Sequence, residues 1–112
     1  MTIINLGKAD VILTDWNIVQ IQASDGNFGE LFIGFSIHDG LGRVSTRIES
    51  FDEKTKTGQT HSGSNYELKG EPGWPHQDAL YVLETAIGAE RVKGALDNPE
   101  GYMGLRFRYQ VK

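Results

Sequence analysis

The sequence predicts an α+β domain: an antiparallel β-meander, then one or two helices packed on it, then a final strand that returns to the sheet. Three observations carry this reading. Across residues 31–70 apolar and polar residues alternate, and Gly, Asp, Asn and Ser cluster at short intervals, as strands joined by tight turns require. Ala79, Leu80, Val82, Leu83, Ala86 and Ile87 recur at helical spacing. From Tyr102 onward the alternation resumes and continues to Val111. A helix stripe of this kind covers one face of the sheet, and a curved, partly closed barrel plugged by the helix is the alternative geometry.

Residues 2–6 read as a short strand and residues 7–10 as a turn, followed by the short apolar run 11–13. Residues 15–23 alternate, with Trp16, Ile18, Gln20 and Gln22 on one side and Asn17, Val19, Ile21 and Ala23 on the other. Apolar groups on both sides imply cover on both faces. Ser24-Asp25-Gly26-Asn27 is a turn, because Asp and Asn bond their own backbone and Gly accepts positive φ. In the next strand Leu31, Ile33, Phe35 and Ile37 share a face, with Phe32, Gly34, Ser36 and His38 on the other. Asp39-Gly40-Leu41-Gly42 turns the chain into a partner strand, with Val44, Thr46 and Ile48 inward and Arg43, Ser45, Arg47 and Glu49 outward.

After a turn at residues 52–54, residues 55–61 and 66–69 form a polar hairpin about Ser62-Gly63-Ser64-Asn65, which is expected at a sheet edge. Two prolines and two glycines keep residues 70–75 out of regular structure. Asp78 suits the start of the helix, Gly88 ends or kinks it, and residues 89–96 continue as a second short helix carrying Val92 and Leu96. In the last strand, residues 102–111, Met103, Leu105, Phe107, Tyr109 and Val111 make one face, and Arg106, Arg108, Gln110 and Lys112 the other.

A chain of 112 residues is read as one domain, 1–112, with enough buried surface for a modest core. It has no cysteine, which excludes a disulfide framework, a thiolate zinc site and a cysteine nucleophile. The opening MTIINLGKADVILTDW has neither the basic start and long apolar run of a signal peptide nor the length of a membrane span, so a cytoplasmic location is expected. A net charge of −4 argues against a protein held mainly on phosphates, so nucleic acid is not the expected partner. There is no P-loop and no dinucleotide fingerprint, and no cofactor is expected.

Candidate sites are few. His38-Asp39 are adjacent on a strand and point to opposite faces, and Asp39 before Gly40 is explained by the turn. His61-Ser62-Gly63-Ser64 places a base beside a hydroxyl but lacks the nucleophile-elbow pattern. The spacing of His38, His61 and His76 matches no metal-ligand signature, and no metal site or catalytic residue is assigned. Arg43 with Arg47, and Arg106 with Arg108, form basic pairs on alternate strand positions; strands lying side by side would merge them into a patch for an anion or an acidic partner, against the default of a solvated outer face. Trp74, held between Pro72-Gly73 and Pro75-His76, either anchors a partner or folds over the core edge as a plug, and a small domain's need for apolar burial favours the plug.

The central stretch also resembles a pattern of small, functionally unassigned bacterial and phage proteins. The residues that carry it are Gly34, His38, Asp39-Gly40, Val44-Ser45-Thr46-Arg47-Ile48 and the hairpin Thr60-His61-Ser62-Gly63-Ser64-Asn65-Tyr66-Glu67-Leu68, of the form Thr-x-Ser-Gly-x-x-Tyr-x-Leu. The likeness spans residues 31–73; Ser45-Thr46 stand in reversed order and no proline follows His38. The resemblance implies a double hairpin and brings no activity with it. The functional expectation is a non-enzymatic binding or accessory protein that uses a sheet face or edge against a partner protein or a second copy of itself as a homodimer. The alternatives are a phage-type inhibitor of a host defence or nucleic-acid system, and a small ligand-binding or metal-dependent domain using its histidines.

Overall fold

The computed structural model describes residues 9–111. The strand expected at residues 2–6 lies outside them. In chain order the elements are β1 (Val11–Gln22), β2 (Phe28–Ser36), β3 (Leu41–Asp52), β4 (Thr57–Thr60), β5 (Asn65–Leu68), α1 (Gln77–Ile87), α2 (Ala89–Asp97) and β6 (Leu105–Phe107). The fold is α+β. Strands β1 to β5 form an antiparallel meander that closes on itself, since β1 also pairs with β5, and β6 is an extra strand on β1. An odd number of alternating strands brings first and last together running the same way, and β1 and β5 are indeed parallel, with Val11 opposite Tyr66 and Leu13 opposite Leu68. Closure corrects the expectation of an edge hairpin: β4 and β5 sit inside the barrel wall, and Tyr66, Leu68 and Thr60 are buried.

Strand β1 serves two neighbours on one side. Its first half pairs with β5, while Val19, Gln20 and Ile21 pair with Phe107, Arg106 and Leu105 of β6. The change of partner occurs at a bulge, where Asp15 takes a φ of 46° and the register with β2 shifts between Thr14 and Asn17. Opposite the bulge the backbones crowd: a Cβ on Gly34 would lie 2.9 Å from the Thr14 carbonyl oxygen. Asn17, fully buried, fills the gap between β5 and β6 with its side-chain amide. It donates to the carbonyls of Gly73 at 2.8 Å and Tyr109 at 2.9 Å, and its oxygen accepts from the amides of Ile18 at 2.7 Å and Tyr109 at 3.2 Å.

The strands bury both faces. Val11, Leu13, Trp16, Ile18, Phe32, Tyr66 and Leu68 fill the barrel. On the outside Val19, Ile33, Leu105 and Phe107 meet Ala79, Leu80 and Leu83 of α1 and Val92 and Ala95 of α2. Neighbouring residues such as Ile18 and Val19 therefore belong to different cores. Bulges also move side chains between them. Because the β2–β3 register shifts between Leu31 and Ile33, Val44 packs with the helices while Ile48 packs with the barrel. Thr46, expected inward, is exposed, and Ser45, expected outward, is buried with its hydroxyl accepting from the Phe32 amide at 2.8 Å.

Helix α1 starts where His76 caps it, the ring Nδ1 accepting the Asp78 amide at 3.0 Å, and ends at Gly88, whose φ is 101°. Its buried stripe is narrower than the apolar spacing suggests: Val82 and Ala86 face solvent. The last strand is shorter than expected. Met103 and Gly104, at φ 51° and 77°, make a two-residue turn between Tyr102 and Leu105, and only residues 105–107 remain as β6. Beyond them Asn17 captures the backbone of Tyr109, whose ring turns into the barrel against Trp16 at a centroid distance of 5.6 Å, while Phe107 faces the helices. Among the described residues no helix is long and apolar enough to cross a membrane.

Candidate functional site

The inner face of the sheet does not end with the barrel core. Along β1 the residues on the Ile18 side continue as Gln20 and Gln22, opposite Glu30 and Phe28 of β2, and Arg106 of β6 lies opposite Gln20. The apolar interior thus gives way to a polar row, which forms an open trough of about 750 Å³ lined by Gln20, Phe28, Glu30, Arg47, Arg106 and Arg108 among others. The Arg108 amide donates to the Ile18 carbonyl at 2.8 Å, and its side chain lies over rings at the end of the barrel core. Its guanidinium lies 5.5 Å from the centroids of both Phe51 and Tyr109, and meets Glu30 at 3.3 Å and Glu53 at 3.6 Å. Partial burial and then a hydrogen bond to Glu53 push the Tyr109 phenol up to about 12, so it stays a neutral donor to that carboxylate at 2.5 Å.

Glu30 is the fixed anion of the trough. It accepts from the Gln20 amide at 2.9 Å as well as from Arg108. Arg47 and Arg106 make no ion pair among the described residues. The aliphatic stem of Arg47 passes close to Gly29, within 3.4 Å of where a Cβ would stand. Phe28 is 68% exposed at the rim. Three arginines border the trough, and only Arg108 meets carboxylates, Glu30 and Glu53, which leaves an excess of positive charge there in a chain whose net charge is −4.

The basic pairs read in the sequence are thus partly reunited. Strands β3 and β6 are not adjacent, because β2 and β1 lie between them, yet all three arginines border one opening: Arg106 and Arg108 on its inner face, and Arg47, opposite Leu31, at the rim where its stem crosses Gly29. Arg43 is elsewhere. It bonds the Tyr66 hydroxyl at 3.1 Å and Asp39 at 3.2 Å, and the Tyr66 bond, ahead of the Asp39 charge, raises its pKa further above its ordinary value. Asp39 also accepts from Ser36 at 2.9 Å, which makes this group a clasp on the β2–β3 turn.

Trp74 is not a plug: it is 52% exposed, while the neighbouring Pro75 is the residue that is buried. His76 has a structural occupation, capping α1 and stacking on Phe35 at 4.5 Å. The three histidines do not converge. His38 is exposed at the β2–β3 turn, and His61, at the β4–β5 turn, bonds Glu49 through Nδ1 at 2.9 Å. The neighbouring Ser62 hydroxyl bonds Thr60 and Ser64 rather than the His61 ring. Among the described residues no three His, Asp or Glu side chains gather in a metal-holding arrangement.

Sequence reasoning missed Phe28, Gln20 and Glu30 as parts of the site. The signal was present: on the Ile18 face of β1 the alternation changes from apolar to Gln, Gln, which marks where the core stops and an accessible inner surface begins. No family model matches the chain, and neither a curated protein nor a solved structure matches it.

Proposed function

We propose that this protein is a non-enzymatic binding domain whose trough receives an acidic segment of a partner protein. The observation that carries the reading is the pair Arg106 and Arg108 on one concave face beside the exposed Phe28, with Arg47 bordering the same opening from β3, and with Arg47 and Arg106 in no ion pair among the described residues. Guanidinium groups recognise carboxylates with directional bonds, and an exposed aromatic beside them adds an apolar anchor.

The face is favoured over the edge by the hydrogen bonds of β6. On its outer side Leu105 exchanges both backbone bonds with Tyr102, and the backbone of Tyr109 is held by Asn17, which leaves Phe107 alone between them. A strand added there finds one residue to pair with, too few for β-augmentation. A protein segment is favoured over nucleic acid because evenly spaced phosphates call for a continuous basic track, and here Glu30 interrupts it.

The test is a titration of the isotope-labelled protein with a Glu-rich peptide and, separately, with oligo-dT. The expected result is peptide-induced shifts at Gln20, Phe28 and Arg106 that disappear in the R47E/R106E double variant. Shifts confined to other surfaces, or tighter binding of the oligonucleotide at the trough, would overturn the reading.

A further inference from the structure

Strand β6 holds one residue whose backbone edge is open. The Gln22 amide donates to the Gly104 carbonyl and the Arg108 amide to the Ile18 carbonyl, both at 2.8 Å, and Gln20 stands opposite Arg106 between them. Gly104, Arg106 and Arg108 therefore turn their backbone groups towards β1, while Leu105 and Phe107 turn theirs away. Leu105 exchanges both of its bonds with Tyr102. In a hairpin that turns at Met103-Gly104, the next such pair on that side would join Phe107 to Glu100. It does not form. Gly101, at φ 103°, donates to the Asn98 carbonyl at 2.9 Å and bends the chain away towards α2. The Phe107 N–H and C=O thus have no partner among the described residues, although Phe107 is only 6% exposed.

The space beside Phe107 is a cavity of about 560 Å³, bordered by Phe107 itself and by Ala95, Leu96, Pro99 and Val111 among others. That volume lies within the range of small-molecule sites, roughly 300–1,000 Å³. A buried donor and acceptor without partners cost free energy, which a ligand or an ordered water recovers. Arg106 and Arg108 border both this cavity and the trough, but Phe107 borders the cavity alone.

We propose that this cavity is a second binding site, distinct from the trough, for a small neutral molecule that carries a cyclic amide on an apolar ring. A single strand residue presents its N–H and C=O side by side and facing the same way. The matching group is an adjacent acceptor and donor, and a cyclic amide holds the two in one plane with no torsion to freeze. A carboxylate would pair with the N–H and repel the C=O, and an ammonium would do the reverse. A longer peptide does not fit the edge, because Leu105 and Tyr109 on either side already have their partners.

The probes are 2-quinolinone and N-methyl-2-quinolinone, which share their rings and carbonyl and differ at the one N–H. Each is titrated into the full isotope-labelled chain and followed by backbone amide shifts. 2-Quinolinone is expected to move the Phe107 amide downfield and to shift Leu96 and Val111, with Gln20 and Phe28 unmoved. The N-methyl compound is expected to bind about fivefold more weakly, the scale of one hydrogen bond lost. Equal affinity for the two compounds overturns the proposal, because the cavity would then take apolar rings without reading the backbone pair. No Phe107 shift with either compound at millimolar concentration also overturns it and assigns the two backbone groups to ordered water. Neither result bears on the acidic-segment reading, whose reporters Gln20 and Phe28 line the trough.

Discussion

At the scale of single residues, Asn17 is the side chain on which the closure depends. An amide offers two donors and two acceptor positions, and here all four are used, by the carbonyls of Gly73 and Tyr109 and the amides of Ile18 and Tyr109. Those backbone groups belong to a loop, to the chain after β6 and to β1 itself, so one buried side chain ties three segments where β1 changes neighbours. Asn17→Ala removes every one of these bonds, and each orphaned buried group has a desolvation cost. The expected loss is about 3 kcal/mol, the upper range for a point substitution in a small domain, measured by urea unfolding. Asn17→Asp is expected to be no milder, because its oxygens face the Gly73 and Tyr109 carbonyls where donors are needed. A loss below about 1 kcal/mol in both variants would mean that the β-ladders hold the junction without the amide. Nothing in the sequence marked Asn17 for this role: it stood on the expected face of its strand, but a polar residue on an alternating strand is ordinarily solvated.

At the scale of elements, the alternation and turn residues made the strands and helices legible, and what escaped them was the effect of single extra residues. Val44 and Ile48 are four apart and share a face in a regular strand, yet a bulge sends one to the helices and the other to the barrel. A period-2 pattern carries no mark of such a slip. Barrel closure was equally hidden, because β5 contributes only Tyr66 and Leu68 to the interior and reads as a polar edge. The trough inherited this blindness: Arg47 and Arg106 were legible as basic positions, but that both border one opening depends on the curvature that bulges and closure create. The seat of α1 rests on a comparable detail. A Cβ on Gly42 would fall 2.2 Å from the Ala79 nitrogen and 2.3 Å from the Asp78 carbonyl carbon, atoms of the helix backbone that have no rotamer by which to move. Gly42→Ala is therefore expected to destabilise by about 1–3 kcal/mol, the range for overpacking, and to loosen α1 as seen by faster amide exchange at its first turns. Gly73, with nothing within 4 Å of its Cβ direction, is the control: Gly73→Ala is expected to be neutral or slightly stabilising. Equal stability of the two variants would mean that α1 shifts freely on β3.

At the scale of the whole molecule, the question is whether barrel and helical layer are one cooperative unit. Their cores are distinct, but they meet on the same strands: Ile18 and Phe32 face inward and Val19 and Ile33 face outward. Detaching the helices would expose Val19, Ile33, Leu105 and Phe107. Fully burying such side chains is worth roughly 1.5–3 kcal/mol each, so the four together represent about 6–12 kcal/mol. That is comparable to the entire stability of a domain, about 5–15 kcal/mol, so a barrel stripped of its helices is not expected to persist. The two tryptophans supply a direct test. Trp16 is 1% exposed inside the barrel and Trp74 is 52% exposed outside it, so Trp74→Phe leaves one fluorophore that reports the barrel alone. Far-ultraviolet circular dichroism reports α1 and α2 in the same sample. The two urea curves are expected to coincide in midpoint and slope, as two-state unfolding demands. A helical signal lost at lower urea than the Trp16 signal would show a free-standing barrel and would make the helices a detachable cover. The outcome bears on binding, because the trough is built from strands that both cores clamp. If the layers unfold together, Arg106, Gln20 and Glu30 are held in one cross-strand row before any partner arrives, and the trough meets its ligand as a preformed surface.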